Sequence, residues 1–133
     1  MYMLDTNICI YIIKKKTSKI LNEIRKKREK GLCISSITLA ELKFGNANAD
    51  ILYKEKNEVA LMEFLTIISI KPFDENAAGE FGLIKKDLKD RNSLIGPFDM
   101  LIGAHAKSLG MILVTNNEKE FRRIKDLKVE NWA

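Results

Sequence analysis

Apolar residues follow two rhythms along this chain. Short, nearly unbroken apolar runs at 1–4, 32–34, 67–70 and 111–114 read as buried strands. Between them, apolar positions recur every three or four residues, the spacing of helices with one face on a core. Ile20, Leu21, Ile24 and the stem of Arg28 form such a stripe over 18–30, closed by Gly31 as a C-cap. Ser35-Ser36 caps a helix carrying Ile37, Ala40, Glu41 and Phe44 that ends near Gly45-Asn46. Leu52, Val59, Met62 and Leu65 mark a helix over 51–65. Ala77, Phe81, Ile84 and Leu88 mark another over 74–90, with Asp74 as its N-cap. After a loop at 91–97 comes a helix from Phe98 to Ala106 with small residues along one side. A short helix over 118–124 and an edge strand within 127–132 complete the pattern.

Continuous apolar strands alternating with amphipathic helices predict an α/β fold in one domain spanning 1–133. Its central, mostly parallel sheet of four to five strands has helices on both faces and right-handed crossovers. Sheets of this kind bind ligands beyond the carboxyl ends of their strands. The residues that follow each strand are therefore the candidates for chemistry.

Composition narrows the class. With 133 residues, 46% apolar and only two prolines, the chain is long and apolar enough to build a core without staples. No apolar run approaches the roughly 20 residues of a membrane span. An acid at position 5, with lysines only after the apolar stretch, reverses the order of a secretory signal and predicts a cytoplasmic protein. Cys9 and Cys33 sit in apolar stretches, as buried free thiols do, and the single His105 disfavours a zinc site. His105 has Leu101 and Leu109 four residues either side, the setting of a core or interface histidine.

The net charge of +5 is not spread evenly. Residues 1–50 hold ten basic and five acidic side chains, whereas 51–133 hold thirteen of each. Lys14, Lys15, Lys16, Lys19, Arg25, Lys26, Lys27, Arg28 and Lys30 crowd into one strip. It reads either as a solvated helix face or as a surface for a polyanion such as RNA.

Three acids stand where the pattern expects apolar or capping residues. Asp5 directly follows the first strand and can cap a helix. Glu41 has Ile37, Thr38, Phe44 and Gly45 as helical neighbours, and Asp99 has Ile95, Ile102 and Gly103. Each has an ordinary structural explanation: a cap, a bent-out side chain, a first-turn acid. Together they place three carboxylates toward the core or one sheet edge without an evident cation. Such a group repels itself unless a divalent ion neutralises it. Hard oxygen donors with almost no His or Cys point to Mg²⁺ or Mn²⁺, and so to phosphoryl-ester chemistry. Asn116 and Asn117 follow the fourth strand, where they serve turn chemistry or the same site.

Four blocks now fall in order: Leu4-Asp5-Thr6-Asn7; Ser35 to Leu42 with Gly45; Pro97 to Ala106; and Leu113 to Ile124. In that order and spacing the chain resembles the PIN-domain ribonucleases, and among them the VapC toxins of bacterial VapBC toxin–antitoxin pairs. The resemblance implies a metal-dependent endoribonuclease, with tRNA frequent among the family's substrates and with Asp5, Glu41 and Asp99 as catalytic, metal-binding acids. It aligns Asn117 with a position where many members carry a fourth acid; Glu120 is a nearby carboxylate, but the motif does not assign it that acid's role, and it would serve beside Asn7 and Thr115 around the site. Asn7 and Thr115 would orient carboxylates or water. It further implies a homodimer, a VapB-like antitoxin as inhibitor and larger toxin–antitoxin assemblies. The departure at Asn117 keeps a second reading open, a PIN-like scaffold that binds RNA or a partner without cutting. A receiver domain is disfavoured because Asp5 stands alone and the third strand ends in Lys71-Pro72-Phe73.

Overall fold

A computed structural model describes residues 1–14 and 17–133; Lys15 and Lys16 of the basic strip lie outside the described residues. The chain runs β1 (Tyr2–Leu4), α1 (Thr6–Lys14), α2 (Ser18–Lys27), β2 (Leu32–Ser35), α3 (Ser36–Ala47), α4 (Ile51–Leu65) and β3 (Ser69–Lys71). It continues through α5 (Glu75–Asp90), α6 (Pro97–Ser108), β4 (Ile112–Val114), α7 (Glu118–Phe121) and β5 (Val129–Glu130). The five strands form one sheet in the order β3-β2-β1-β4-β5, every pair parallel. Among the described residues no helix is long and apolar enough to cross a membrane.

Side chains alternate across the sheet and divide the core in two. Tyr2, Leu4, Leu32, Ile34 and Val114 face α1, α2 and α4 with Ile8, Ile20, Leu61 and Phe64. Met3, Cys33 and Leu113 face α5, α6 and α7 with Ile84, Leu88, Met100 and Phe121. Trp132 is buried against the Tyr2 ring at 5.2 Å and closes the first half. At Gly103 α6 packs so closely that a Cβ would come within 2.5 Å of Ile124 Cδ1, which accounts for the small-residue side of that helix.

The strand order explains where a site belongs. From β1 the chain builds outward through β2 to β3, then returns to add β4 on the other side of β1 and β5 beyond it. In open parallel sheets such a reversal is where ligands bind, beyond the carboxyl ends of the strands, here β1 and β4. Asp5 and Thr115 are the first residues past those two ends.

Four local readings are corrected. The helix over 18–30 ends at Lys27 and tightens into a 3-10 turn at Arg28–Lys30. Gly31, at φ 90°, closes that turn by donating to Arg28 O, so Arg28 is exposed instead of joining the stripe. The third strand begins at Ser69 rather than Ile67. Thr66 and Ile67 still donate back into the last turn of α4, and the strand lies at the sheet edge, where Ile70 is exposed. On α4 the buried residues are Leu61 and Phe64, whereas Leu52, Val59 and Met62 are exposed. Phe44 on α3 is likewise exposed. Both sides of α4 carry apolar residues, so periodicity alone selects no face.

Candidate active site

Asp5 is fixed by the backbone around it. Its N–H donates to Val114 O at 3.0 Å, extending the β1–β4 ladder by one residue. Its carboxylate caps α1 by accepting from Ile8 N at 2.9 Å, and the Thr115 hydroxyl donates to it. The side chain is 3% exposed. Burial pushes its pKa up to about 6; the Glu41 charge adds to this, against the Thr115 and Ile8 donors.

Glu41 lies on the half-buried side of α3, and Thr6 Oγ1 donates to its Oε1 at 2.6 Å. Asp99 sits in the first turn of α6, behind Gly96 and Pro97. A helix N-terminus favours the ionised form, yet Asp99 is pushed up to about 7. Burial is the largest cause, followed by a hydrogen bond and charge repulsion with Glu120, then the charges of Asp5 and Glu41. Glu120 thus stands close enough to Asp99 for the two carboxyl groups to interact directly.

Four carboxylates from β1–α1, α3, α6 and α7 thus converge past the carboxyl ends of β1 and β4. Asn117 stands behind them: its Nδ2 donates to Glu120 Oε2 at 2.9 Å, while its N–H donates to Thr115 Oγ1 at 2.8 Å. Thr115 therefore links Asp5 to the segment that carries Glu120. Asn7 is exposed and, among the described residues, makes no hydrogen bond to the acids. Thr6 takes the position next to Glu41 instead. The sequence signal for Thr6 is its place at the start of α1, directly after Asp5, where a short hydroxyl reaches across to the neighbouring helix.

Every ion pair among the described residues lies elsewhere on the surface, so no lysine or arginine balances the four acids. No three of them are already arranged as ligands to a metal ion, among the described residues. The donor set nonetheless fits a hard divalent cation: oxygen ligands only, with Asp5 and Asp99 pushed up first by burial and then by the neighbouring carboxylates. The thiols do not compete, since burial pushes Cys9 well up and Cys33 to about 11.

His105 stays outside this group, 1% exposed in α6. Its Nδ1 lies 2.7 Å from Ser35 Oγ, which caps α3 by accepting from Ile37 N. Its ring meets Phe73 edge-on at 5.4 Å. Burial lowers its pKa against the opposing charge of Asp74 and the Pro72 carbonyl, so it is neutral at pH 7. It ties the helix bearing Asp99 to the cap of the helix bearing Glu41. His105→Ala should lower stability by about 2–4 kcal/mol through a cavity and a broken buried bond, read as a lower melting temperature.

The PIN domain family model matches residues 2–127. The chain is 44% identical over 132 residues to a Haemophilus influenzae protein named Ribonuclease VapC2, covering 99% of this chain and 98% of that one. It is 39% identical over 132 residues to the tRNA(fMet)-specific endonuclease VapC of Shigella flexneri, with the same shares covered. Its fold superposes with a TM-score of 0.94 on VapBC2 from Rickettsia felis, crystallised with a promoter DNA fragment, at 38% identity over 99% of this chain and 98% of that one. DNA-bound VapBC from Salmonella typhimurium gives 0.92 at 37% identity, again with 99% and 98% covered.

Proposed function

The chain belongs to the PIN-domain family, and from that premise we propose that it is the ribonuclease toxin of a VapBC-type pair, with Asp5, Glu41, Asp99 and Glu120 as its metal-binding acids. The observation that carries the reading is the convergence of four carboxylates, with no ion pair to a lysine or arginine among the described residues, where the sheet order reverses. The domain spans 1–133 and acts in the cytoplasm. Its substrate is RNA, of which tRNA is the first to try given the named Shigella flexneri relative. Its partner is an antitoxin of the VapB type, a pairing supported by the VapBC structures it resembles; in this reading the antitoxin silences the toxin, and the toxin dimerises within a larger assembly.

PIN-domain nucleases generally need a divalent metal, and hard oxygen donors select Mg²⁺ or Mn²⁺ here. Bound by these acids, such an ion supplies Lewis-acid activation of a water and of the scissile phosphate. The chain's own residues do the rest. Asp5, fixed by Thr115 and Ile8 N–H, and Asp99, at the mouth of α6, supply fixed negative oxygens. Glu41, held by Thr6, takes the proton of the attacking water. Water oxygen bonds to phosphorus as the P–O3′ bond breaks, O3′ takes a proton from solvent, and the fragments carry a 3′-hydroxyl and a 5′-phosphate. His105 takes no part, being buried against Ser35.

The departure at Asn117 favours a scaffold only while the fourth acid is missing, and Glu120 supplies that carboxylate. The test is incubation of total bacterial RNA with the purified chain in Mg²⁺ or Mn²⁺, with EDTA, and with Asp5→Asn. Discrete fragments ending in 5′-phosphate that disappear with EDTA and in the variant are the expected result. The introduced amide would still accept from Ile8 N and cap α1, so the variant folds. RNA bound but uncut in either metal would return the chain to the scaffold reading.

A further inference from the structure

A buried polar clasp joins β2, α3 and α6, apart from the acids themselves. Ser35 ends β2 and caps α3 by accepting from Ile37 N at 3.0 Å. His105 Nδ1 lies 2.7 Å from the same hydroxyl oxygen, and both residues are buried. Beside them Phe73 N–H donates to Ser36 Oγ at 3.0 Å, and the Phe73 ring meets His105 edge-on. A neutral imidazole has one ring proton, and here it goes to the Pro72 carbonyl. Nδ1 is then the acceptor, and Ser35 gives it its single proton while accepting from Ile37 N–H. Each proton of the clasp thus has one place, which makes the contact directional.

The clasp stands between two of the acids. Asp99 lies six residues before His105 on α6, and Glu41 six residues after Ser35 on α3. At about 1.5 Å of rise per residue, each acid is about 9 Å along its helix from the tie. The Glu41 charge nonetheless reaches Asp99, so both helix segments leave the tie toward the same point. Among the described residues, His105–Ser35 is the one side-chain hydrogen bond between α6 and the β2–α3 segment. Core stability alone does not call for it. Apolar groups of the same shape in place of both partners of a buried hydrogen bond are nearly neutral. Apolar packing keeps the fold but gives up uniqueness first, whereas a directional bond fixes how two helices slide and turn. Several carboxylates act as one site only when held to within about 0.5 Å.

We propose that His105 is a positioning residue: through Ser35 it holds the helix of Asp99 in register with the helix of Glu41, and so sets the spacing at which the acids take a divalent cation. It touches no reacting atom and acts only through those two helices. The proposal rests on the ribonuclease reading above.

The test separates the bond from the volume of the side chain. His105→Leu fills the space of the ring and removes the bond. His105→Asn keeps an amide oxygen where Nδ1 stood and loses the rest of the ring. Ser35→Gly removes the bond from the other side, glycine being tolerated at a helix N-cap. All are compared with wild type well below their melting temperatures, by calorimetric titration with Mn²⁺ and by kcat and KM on an RNA oligonucleotide that wild type cuts. His105→Leu and Ser35→Gly should bind Mn²⁺ about tenfold more weakly and lose about a hundredfold in kcat, with KM unchanged. His105→Asn should stay within about threefold of wild type in both, although the cavity it leaves makes it melt below His105→Leu. Function and melting temperature of the two His105 variants thus rank in opposite order. Wild-type Mn²⁺ affinity and kcat in either His105→Leu or Ser35→Gly overturns the proposal, as does a His105→Asn that loses as much as they do. Should His105→Leu fail to fold, Ser35→Gly against His105→Asn decides the matter alone. A wild type that neither binds Mn²⁺ nor cuts RNA removes the ribonuclease reading itself, and this proposal with it.

Discussion

Exchanging Asp99 for asparagine should reduce RNA cleavage about a thousandfold and, in metal-free solution at pH 8, make the protein more stable. The first effect follows from removing a carboxylate oxygen that the cation needs; a few kcal/mol of transition-state stabilisation correspond to that factor. The second follows from the sign of the pKa shifts. Asp5 and Asp99 titrate near 6 and 7 in the folded chain, against 3.8 for an ordinary aspartate. Between pH 4 and 7 the folded state therefore holds more protons than the unfolded one, and stability falls as pH rises. Forcing such a carboxyl to ionise in the fold costs on the order of 3 kcal/mol once its partial exposure to solvent is allowed for, fully felt above pH 7. The amide of the variant carries no charge, so the melting-temperature gap between variant and wild type should widen from pH 5 to pH 8. It should shrink when Mg²⁺ is added to wild type. Equal melting temperatures at pH 8 would mean that these carboxylates are not in conflict.

Glu120→Ala should lower cleavage about a hundredfold or more, while Asn117→Ala should lower it about tenfold. Glu120 meets Asp99 directly, whereas Asn117 reaches the acids only by donating to Glu120. The two losses should not add: Asn117→Ala in the Glu120→Ala background has nothing left to orient. A double-mutant cycle on kcat with the RNA oligonucleotide measures this. Additive losses would place Asn117 on the substrate in its own right. Glu120→Ala also relieves the repulsion on Asp99, whose pKa should fall toward the usual carboxylate range. A pH–rate profile shifted to lower pH would report that fall.

How far the site is legible depends on how local its causes are. Asp5, Glu41 and Asp99 are recognisable because each interrupts an apolar pattern, and a carboxylate on a core-facing stripe is conspicuous from spacing alone. Thr6 and Glu120 are not marked in that way. Their partners lie 35 and 21 positions away, on α3 and α6, so their place in the chain does not show which acid each one meets. The Asp-x-Asn pattern favours Asn7 over Thr6, yet α1 turns Asn7 to solvent.

The order of strands and helices, the parallel sheet and the three intruding acids were determined by the sequence itself, because hydrophobic periodicity and capping residues act over a few neighbours. Tertiary structure alone decided which face of α4 is buried, that Asn117 donates to Glu120 beside Asp99, and that Glu41 forms part of the wall of a cavity between α1, α3 and α4. Those outcomes depend on which helices meet across the sheet. That is a matter of packing between residues far apart in the chain, on which local pattern has no hold.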